Sequence, residues 1–344
     1  MLRCLAAGSS ALRPVLEAPA RPADCLGVTR GALYLRIAGP PGVLAVLTHD
    51  AVRLPCGLVL PTTSAELPLT SLAPAHSMIL ESYTCGNLHN SPGSWEIVVG
   101  SGEVRWTGPD GPVVVRAVRE WAPARPVRGE VAASALAEVR SVLGRGVLSG
   151  SGLSGAGLSG AGLSGAGLSA AETNGADTVV SRSLLTELGA AACDQGAATA
   201  AATRLLGSGP GLTPSGDDVL AGFLAGAAAF GIDAVALREA VAVLAPARTT
   251  ALSAALLWHA ARGECIDELA GLAAVLTGQG CSQPGEALSA VSRLVSVGHT
   301  SGAALALGLV TAADCGLAGT GLAGTVLAGT VLAETGLTAT GDAA

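Results

Sequence analysis

Two regimes of hydrophobic spacing divide this chain. Between residues 26 and 121 the apolar positions come in short runs, at 32–37, 43–47, 54–60, 77–80, 95–99, 103–106 and 113–118. Gly39-Pro-Pro-Gly42, Gly100-Ser-Gly102, Pro109 and Pro112 separate them. Short apolar runs punctuated by glycine and proline predict strands, and Gly-Ser-Gly between two of them predicts a hairpin. After Pro123-Ala-Arg-Pro126 the period changes: Val131, Leu136, Val139 and Leu143 recur at helical spacing. Helices are predicted at 130–143, 180–206, 215–230, 234–245, 249–262, 264–277, 285–297 and 301–313. The predicted fold class is therefore α+β, an N-terminal β-rich domain followed by an all-helical C-terminal domain. The boundaries are a β-rich domain at 1–125, a connecting helix at 126–148, a linker at 149–175, a helical domain at 176–315 and a tail at 316–344.

The linker and the tail are low-complexity. Residues 152–171 repeat Gly-Leu-Ser-Gly-Ala, and residues 316–340 repeat Gly/Val-Leu-Ala-Gly-Thr. A period of five matches neither helix nor strand, and glycine disfavours helix by ~1 kcal/mol per position. The first is expected to be a flexible inserted linker and the second a disordered or loosely helical tail.

Composition narrows the chemistry. The 344 residues are 50% hydrophobic but only 2% aromatic, so the core is built from Ala, Leu and Val. Mean hydropathy is +0.54. The apolar helical stretch at 219–232 falls short of the ~20 residues that span a bilayer, and no membrane association is expected. All 19 basic residues are arginine. Without lysine there is no Walker phosphate loop, no Schiff-base lysine and no kinase lysine. A net charge of −7 and the lack of a basic run argue against nucleic acid and fit a cytoplasmic protein. The eight cysteines show no C-x-x-C spacing and read as buried, reduced thiols.

One stretch carries chemistry: Gly207-Ser-Gly-Pro-Gly-Leu-Thr-Pro-Ser-Gly-Asp-Asp218. It lies between two predicted helices. Thr213, Ser215 and Asp217 suit helix caps. Gly209, Gly211 and Gly216 let a ligand approach backbone amides at a helix N-terminus, where the dipole attracts anions. Asp217 and Asp218 repel an anion unless Mg²⁺ bridges them or they orient a donor group. Apart from Mg²⁺ at this pair no cofactor is implied. Two further helix starts repeat the theme. Arg248-Thr249-Thr250 precedes one, and Gly298-His299-Thr300-Ser301-Gly302 opens another. Arg248 offers a fork for carboxylate or phosphate, and His299 can polarise a carbonyl or move a proton. The three starts are expected to converge on one small anion. Taken singly, each is an ordinary helix cap or loop. His259, on an Ala/Leu helix, reads as a core or groove residue.

Together these motifs, with Leu220-Ala-Gly222 and Ser253, resemble the AllH-like family over roughly 180–313, with a looser likeness at 49–55. The resemblance implies a subunit of oxamate carbamoyltransferase in anaerobic allantoin degradation, a branch of purine catabolism. It implies FdrA-like and third-subunit partners, and conversion of oxalurate and phosphate to oxamate and carbamoyl phosphate. One position departs: where the family often has an acid, two residues beyond the last motif, stands Ala304. The Ser-Thr-Arg-Thr phosphate loop of ordinary carbamoyltransferases is absent from the sequence.

In the carbamoyltransferase reading His299, Asp217 and Asp218 are catalytic. Gly209, Gly211, Thr213, Ser215, Gly216, Arg248, Thr249, Thr250, Thr300 and Ser301 bind the anion. Two alternatives stand beside it: a non-catalytic subunit that binds an anion or a partner, and a Mg²⁺-dependent phosphotransferase.

Overall fold

The computed structural model describes residues 1–73, 97–148, 182–191, 194–279 and 285–319. Its N-terminal part comprises β1 (Leu2–Ser9), a short helix α1 (Arg13–Glu17), β2 (Arg21–Val28), β3 (Ala32–Arg36), β4 (Val43–Leu47), β5 (Gly57–Val59), β6 (Ile97–Gly100), β7 (Glu103–Gly108) and β8 (Gly111–Trp121). These strands close into a barrel in the order β1-β5-β4-β3-β2-β6-β7-β8. The β1–β8 and β4–β5 pairs are parallel and the other pairs antiparallel. Closure gives every strand two neighbours and leaves no sheet edge to aggregate. Alternation sets the two faces: on β7, Val104 and Trp106 point into the core while Arg105 and Thr107 are exposed. The Trp106 indole N–H donates to the Leu72 carbonyl at 2.7 Å, so its one polar atom is satisfied inside.

The helical part follows: α2 (Ala133–Leu148), α3 (Arg182–Ala190), α4 (Gln195–Leu205), α5 (Ser215–Phe230), α6 (Val235–Arg248), α7 (Ala251–Ala260), α8 (Asp267–Leu276), α9 (Glu286–Val295) and α10 (Ser301–Gly319). Helix α5 is buried along nearly its whole length and packs on α10. Glycines make that approach close. A Cβ on Gly222 would stand 2.1 Å from the Leu305 carbonyl oxygen, and one on Gly308 would stand 2.0 Å from that of Val219. Only glycine fits at these two crossings.

The expected fold class needs correction. The β part is a closed barrel containing a helix, and it is not followed by a separate all-helical unit. Leu26 and Val43 of the barrel share a core cluster with Leu252 and Ala255 of α7. Ala124 forms an isolated β-bridge with Cys265, and Arg125 pairs with Glu264 at 2.7 Å. Hydrophobic period reveals which face of an element is apolar. It does not reveal which distant face covers it.

Two strands, β1 and β2, went unread in the sequence, because Leu2–Ser9 is rich in Ala and Gly and Arg21–Val28 holds Pro, Asp and Gly. The strand expected at 77–80 and the linker expected at 149–175 lie outside the described residues. The helix expected at 301–313 extends to Gly319, into the expected tail, whose remainder also lies outside them. Among the described residues α10, not 219–232, is the helix long and apolar enough to cross a membrane, and it is mostly buried within the fold. Among the described cysteines, Cys56 and Cys265 are buried free thiols, and burial pushes both up to about 12.

Candidate functional site

The Gly207–Asp218 turn leaves α4 and enters α5 through three glycines with left-handed φ, at 207, 209 and 211. Gly207 is pressed against the Arg248 carbonyl, where a Cβ would stand 2.3 Å from the oxygen. Gly216 is equally confined, beneath the Leu205 carbonyl and the Ser208 hydroxyl. The residue capping α5 is Pro214, without a side-chain cap bond, so none of Thr213, Ser215 and Asp217 serves as the cap that the sequence suggests. First-turn amides normally lack intrahelical acceptors. Here the Gly216 amide donates to Ser208 O at 2.9 Å, and those of Asp217 and Asp218 donate to Pro214 O at 2.9 and 3.2 Å.

Asp217 instead reaches backward and sideways. Its Oδ1 accepts from the Gly207 amide at 2.9 Å, and its Oδ2 accepts from the Thr249 hydroxyl. Thr250 caps α7: its Oγ1 accepts from the Ser253 amide at 3.0 Å and donates to the Leu212 carbonyl at 2.6 Å. Thr213 Oγ1 lies 2.8 Å from Ser301 Oγ at the start of α10. Three distant segments, 207–218, 249–253 and 301, are thereby tied into one junction. Thr300 precedes Ser301 on that turn, and the Thr300 carbonyl accepts from the Ala304 amide. Ala304 itself is buried on α10.

The two carboxylates differ. Both are buried, Asp217 at 2% and Asp218 at 6% exposure. Burial raises the Asp217 carboxyl, while bonds from Thr249, the Gly207 amide and Ser253 oppose the rise. Burial pushes Asp218 up to about 8; bonds from Ser301 and Thr213 pull it down and the nearby Asp217 charge adds to the rise. Asp218 Oδ2 is buried with no hydrogen-bond partner among the described residues. A carboxyl near 8 is mostly protonated at neutral pH, so the pair repels an anion less than two ionised groups. With both Asp217 oxygens engaged, the pair forms a hydrogen-bonded clamp. No group of three His, Cys, Asp or Glu side chains that could hold a metal occurs among the described residues.

Two expected residues sit at the margin. Arg248 is exposed at the C-terminus of α6, and its guanidinium reaches the Thr203 carbonyl at 3.4 Å. His299 is exposed on the turn before α10. Gly209, Gly211 and Ser215 line the turn, all half-buried. Sequence reasoning missed the Leu212 carbonyl, the Gly207 amide and Ser208, because backbone acceptors and donors leave no signature in residue type. A small cavity walled by Val15, Pro22, Ile37 and Val99 lies on the barrel, apart from this junction.

A closed eight-stranded barrel joined to a helical site-bearing half is thus the class of protein that the fold defines. Residues 205–313 match the family model of AllH, described as the oxamate carbamoyltransferase subunit AllH. The chain is AllH-like over this stretch, which begins at the last residue of α4 and contains every residue of the junction. The likeness seen at 49–55 lies outside it. The match likens this stretch, less than half of the chain, to a subunit of an oxamate carbamoyltransferase-type system. No curated protein and no solved structure matches the chain.

Proposed function

We propose that the chain helps an oxamate carbamoyltransferase-like assembly convert oxalurate and phosphate to oxamate and carbamoyl phosphate, and that the α5–α7–α10 junction receives the small anionic ligand. The carrying observation is that junction itself: the bond from Thr249 to Asp217, the bond from Thr250 to the Leu212 carbonyl and the Thr213–Ser301 pair bring the three helix starts together around Asp218 Oδ2, which has no partner among the described residues. The N-termini of α7 and α10 border the junction, and the positive end of each helix dipole favours carboxylate or phosphate, although the Ser253 and Gly302 amides already donate within the protein. In the reaction a phosphate oxygen adds to the ureido carbonyl, the C–N bond breaks and the departing nitrogen takes a proton. Asp218, held near 8, suits the role of proton donor at neutral pH. His299, on the turn that leads into Ser301, polarises the carbonyl under attack.

One observation favours a non-catalytic binding role. The Asp217 oxygens and the hydroxyls of Thr213, Thr249 and Thr250 are all bonded within the protein. The decisive measurement is carbamoyl phosphate formation by the assembly carrying Asp218→Asn or His299→Ala. Turnover at least ~100-fold lower at full assembly is expected from loss of a proton donor. Unchanged turnover in both variants removes the catalytic reading and leaves the binding role.

A further inference from the structure

Strands β7, β8 and β1 are consecutive around the barrel and turn one common face to solvent. Register shows how that face is composed. Arg3 stands opposite Val114, which stands opposite Arg105; Leu5 stands opposite Arg116, which stands opposite Glu103. Residues directly opposite share a face. The ladder slips between Ala6 and Ala7, so that Ala6 faces Ala117 and Ala7 faces Arg119, and Val118 is the extra residue. A bulge of this kind re-aims side chains, and Val118 stands 52% exposed. Leu5 is 59% exposed. Arg105 is paired with Glu103 at 3.2 Å, while Arg3, Arg116 and Arg119 have no acidic partner among the described residues. In a chain of net charge −7, three exposed arginines that form no ion pair among the described residues, on a face whose Glu103 is taken by Arg105, surround two exposed aliphatic side chains and form a distinct surface.

We propose that this face docks another protein of the assembly, one that presents carboxylates around an apolar patch. Guanidinium forks pair bidentately with carboxylates, and arginine with apolar neighbours is the composition of protein interfaces. A nucleic-acid site calls for a broader positive field than a net-acidic chain carries. The proposal rests on the proposed reading of the chain as a subunit of an assembly, and it is independent of the chemistry assigned to the junction.

The test uses the intact assembly, purified through a tag on the full chain, and two surface variants, R116E/R119E and L5S/V118S. Melting curves confirm that the barrel folds. Sedimentation gives the assembly mass, and phenylglyoxal labelling read by mass spectrometry gives arginine accessibility. The expected result is that Arg3, Arg116 and Arg119 are protected in the wild-type assembly and labelled in the free chain. R116E/R119E is expected to weaken assembly at least ~10-fold, as is high salt with the wild type. Unchanged mass with unprotected arginines overturns the proposal. So does binding of the free wild-type chain to a 30-base single-stranded oligonucleotide or to phosphatidylglycerol vesicles that is lost in R116E/R119E while the assembly persists. Self-association of the chain through this face overturns it too. Because the readout is mass and labelling, its failure is separate from a failure of the turnover test at the junction.

Discussion

Asp217 and Asp218 are adjacent in the chain, yet they do opposite work. Asp217 spends both oxygens tying the glycine turn to Thr249, while Asp218 keeps one buried oxygen without a partner. The difference carries a pH signature. An aspartate in the unfolded chain titrates near ~3.9, and Asp218 in the folded chain titrates at about 8. Between those values the folded state holds a proton that the unfolded state releases. The stability this group contributes is therefore complete below about pH 4 and lost as pH rises through about 8. Thermal melts across that range should show the wild type losing stability relative to Asp218→Asn as pH rises. A difference that stays flat with pH would show that the proton is not held there. For the clamp, Thr249→Val removes the hydroxyl that bonds the buried Asp217 carboxylate. A loss of about 1–3 kcal/mol in urea denaturation is expected. Residue types made this region legible, since glycines, hydroxyls and paired acids mark it in the sequence. The direction in which each carboxylate points was not legible, because it depends on Gly207 and Thr249 arriving from other segments.

Among the elements, α5 meets α10 through small residues, Gly222 against the Leu305 carbonyl and Gly226 against the Ala312 side chain, and nothing in α5 itself names α10 as its partner. Gly308 occupies the matching place on α10, against the Val219 carbonyl. Gly308→Ala is expected to destabilise by about 1–3 kcal/mol or more, because backbone on a packed helix yields little. Gly271, inside α8, is the control: an added Cβ meets nothing within 4 Å. Gly271→Ala is expected to stabilise by about 0.5–1 kcal/mol through helix propensity alone. Circular dichroism melts of the two variants check both signs. The hairpin at Gly100-Ser-Gly102 was legible for the same local reason that makes Gly271 a simple case: the immediate neighbours decide. Strands β1 and β2 were not, because their small and polar residues owe their extended form to neighbours in a closed sheet.

At the scale of the molecule, the barrel and the helices are held together by more than packing. Arg125, just beyond β8, pairs with Glu264 at 2.7 Å, and the other Glu264 oxygen lies 2.7 Å from His259 Nδ1. Burial pushes the Glu264 carboxyl up, but His259 and Arg125 together outweigh it and hold it below the ordinary range. An ionised acceptor fixes the imidazole proton on Nδ1, and Trp258 meets the His259 ring edge-on, with Arg262 stacked 4.5 Å over Trp258. A depressed carboxylate contributes stability that is present above its unfolded value and lost as pH falls through its lowered one. Glu264→Gln should therefore lower the melting temperature at pH 7 and narrow its deficit toward the acid limb. An equal deficit at pH 7 and pH 3 would show that charge has no part in this tie.

The sequence by itself determined the local terms. Strand and helix periods, the hairpin, the glycine turn before α5 and the AllH-like motif all depend on residues within a few positions of one another. Tertiary structure decided the rest: closure of the barrel by the parallel β1–β8 pair, the core shared by β4 and α7, the burial of Asp218, and the arginine face assembled from three strands. These depend on which surfaces meet across long stretches of chain. Hydrophobic burial drives such meetings without direction, so their outcome is written in the fit of whole surfaces and not in any one segment.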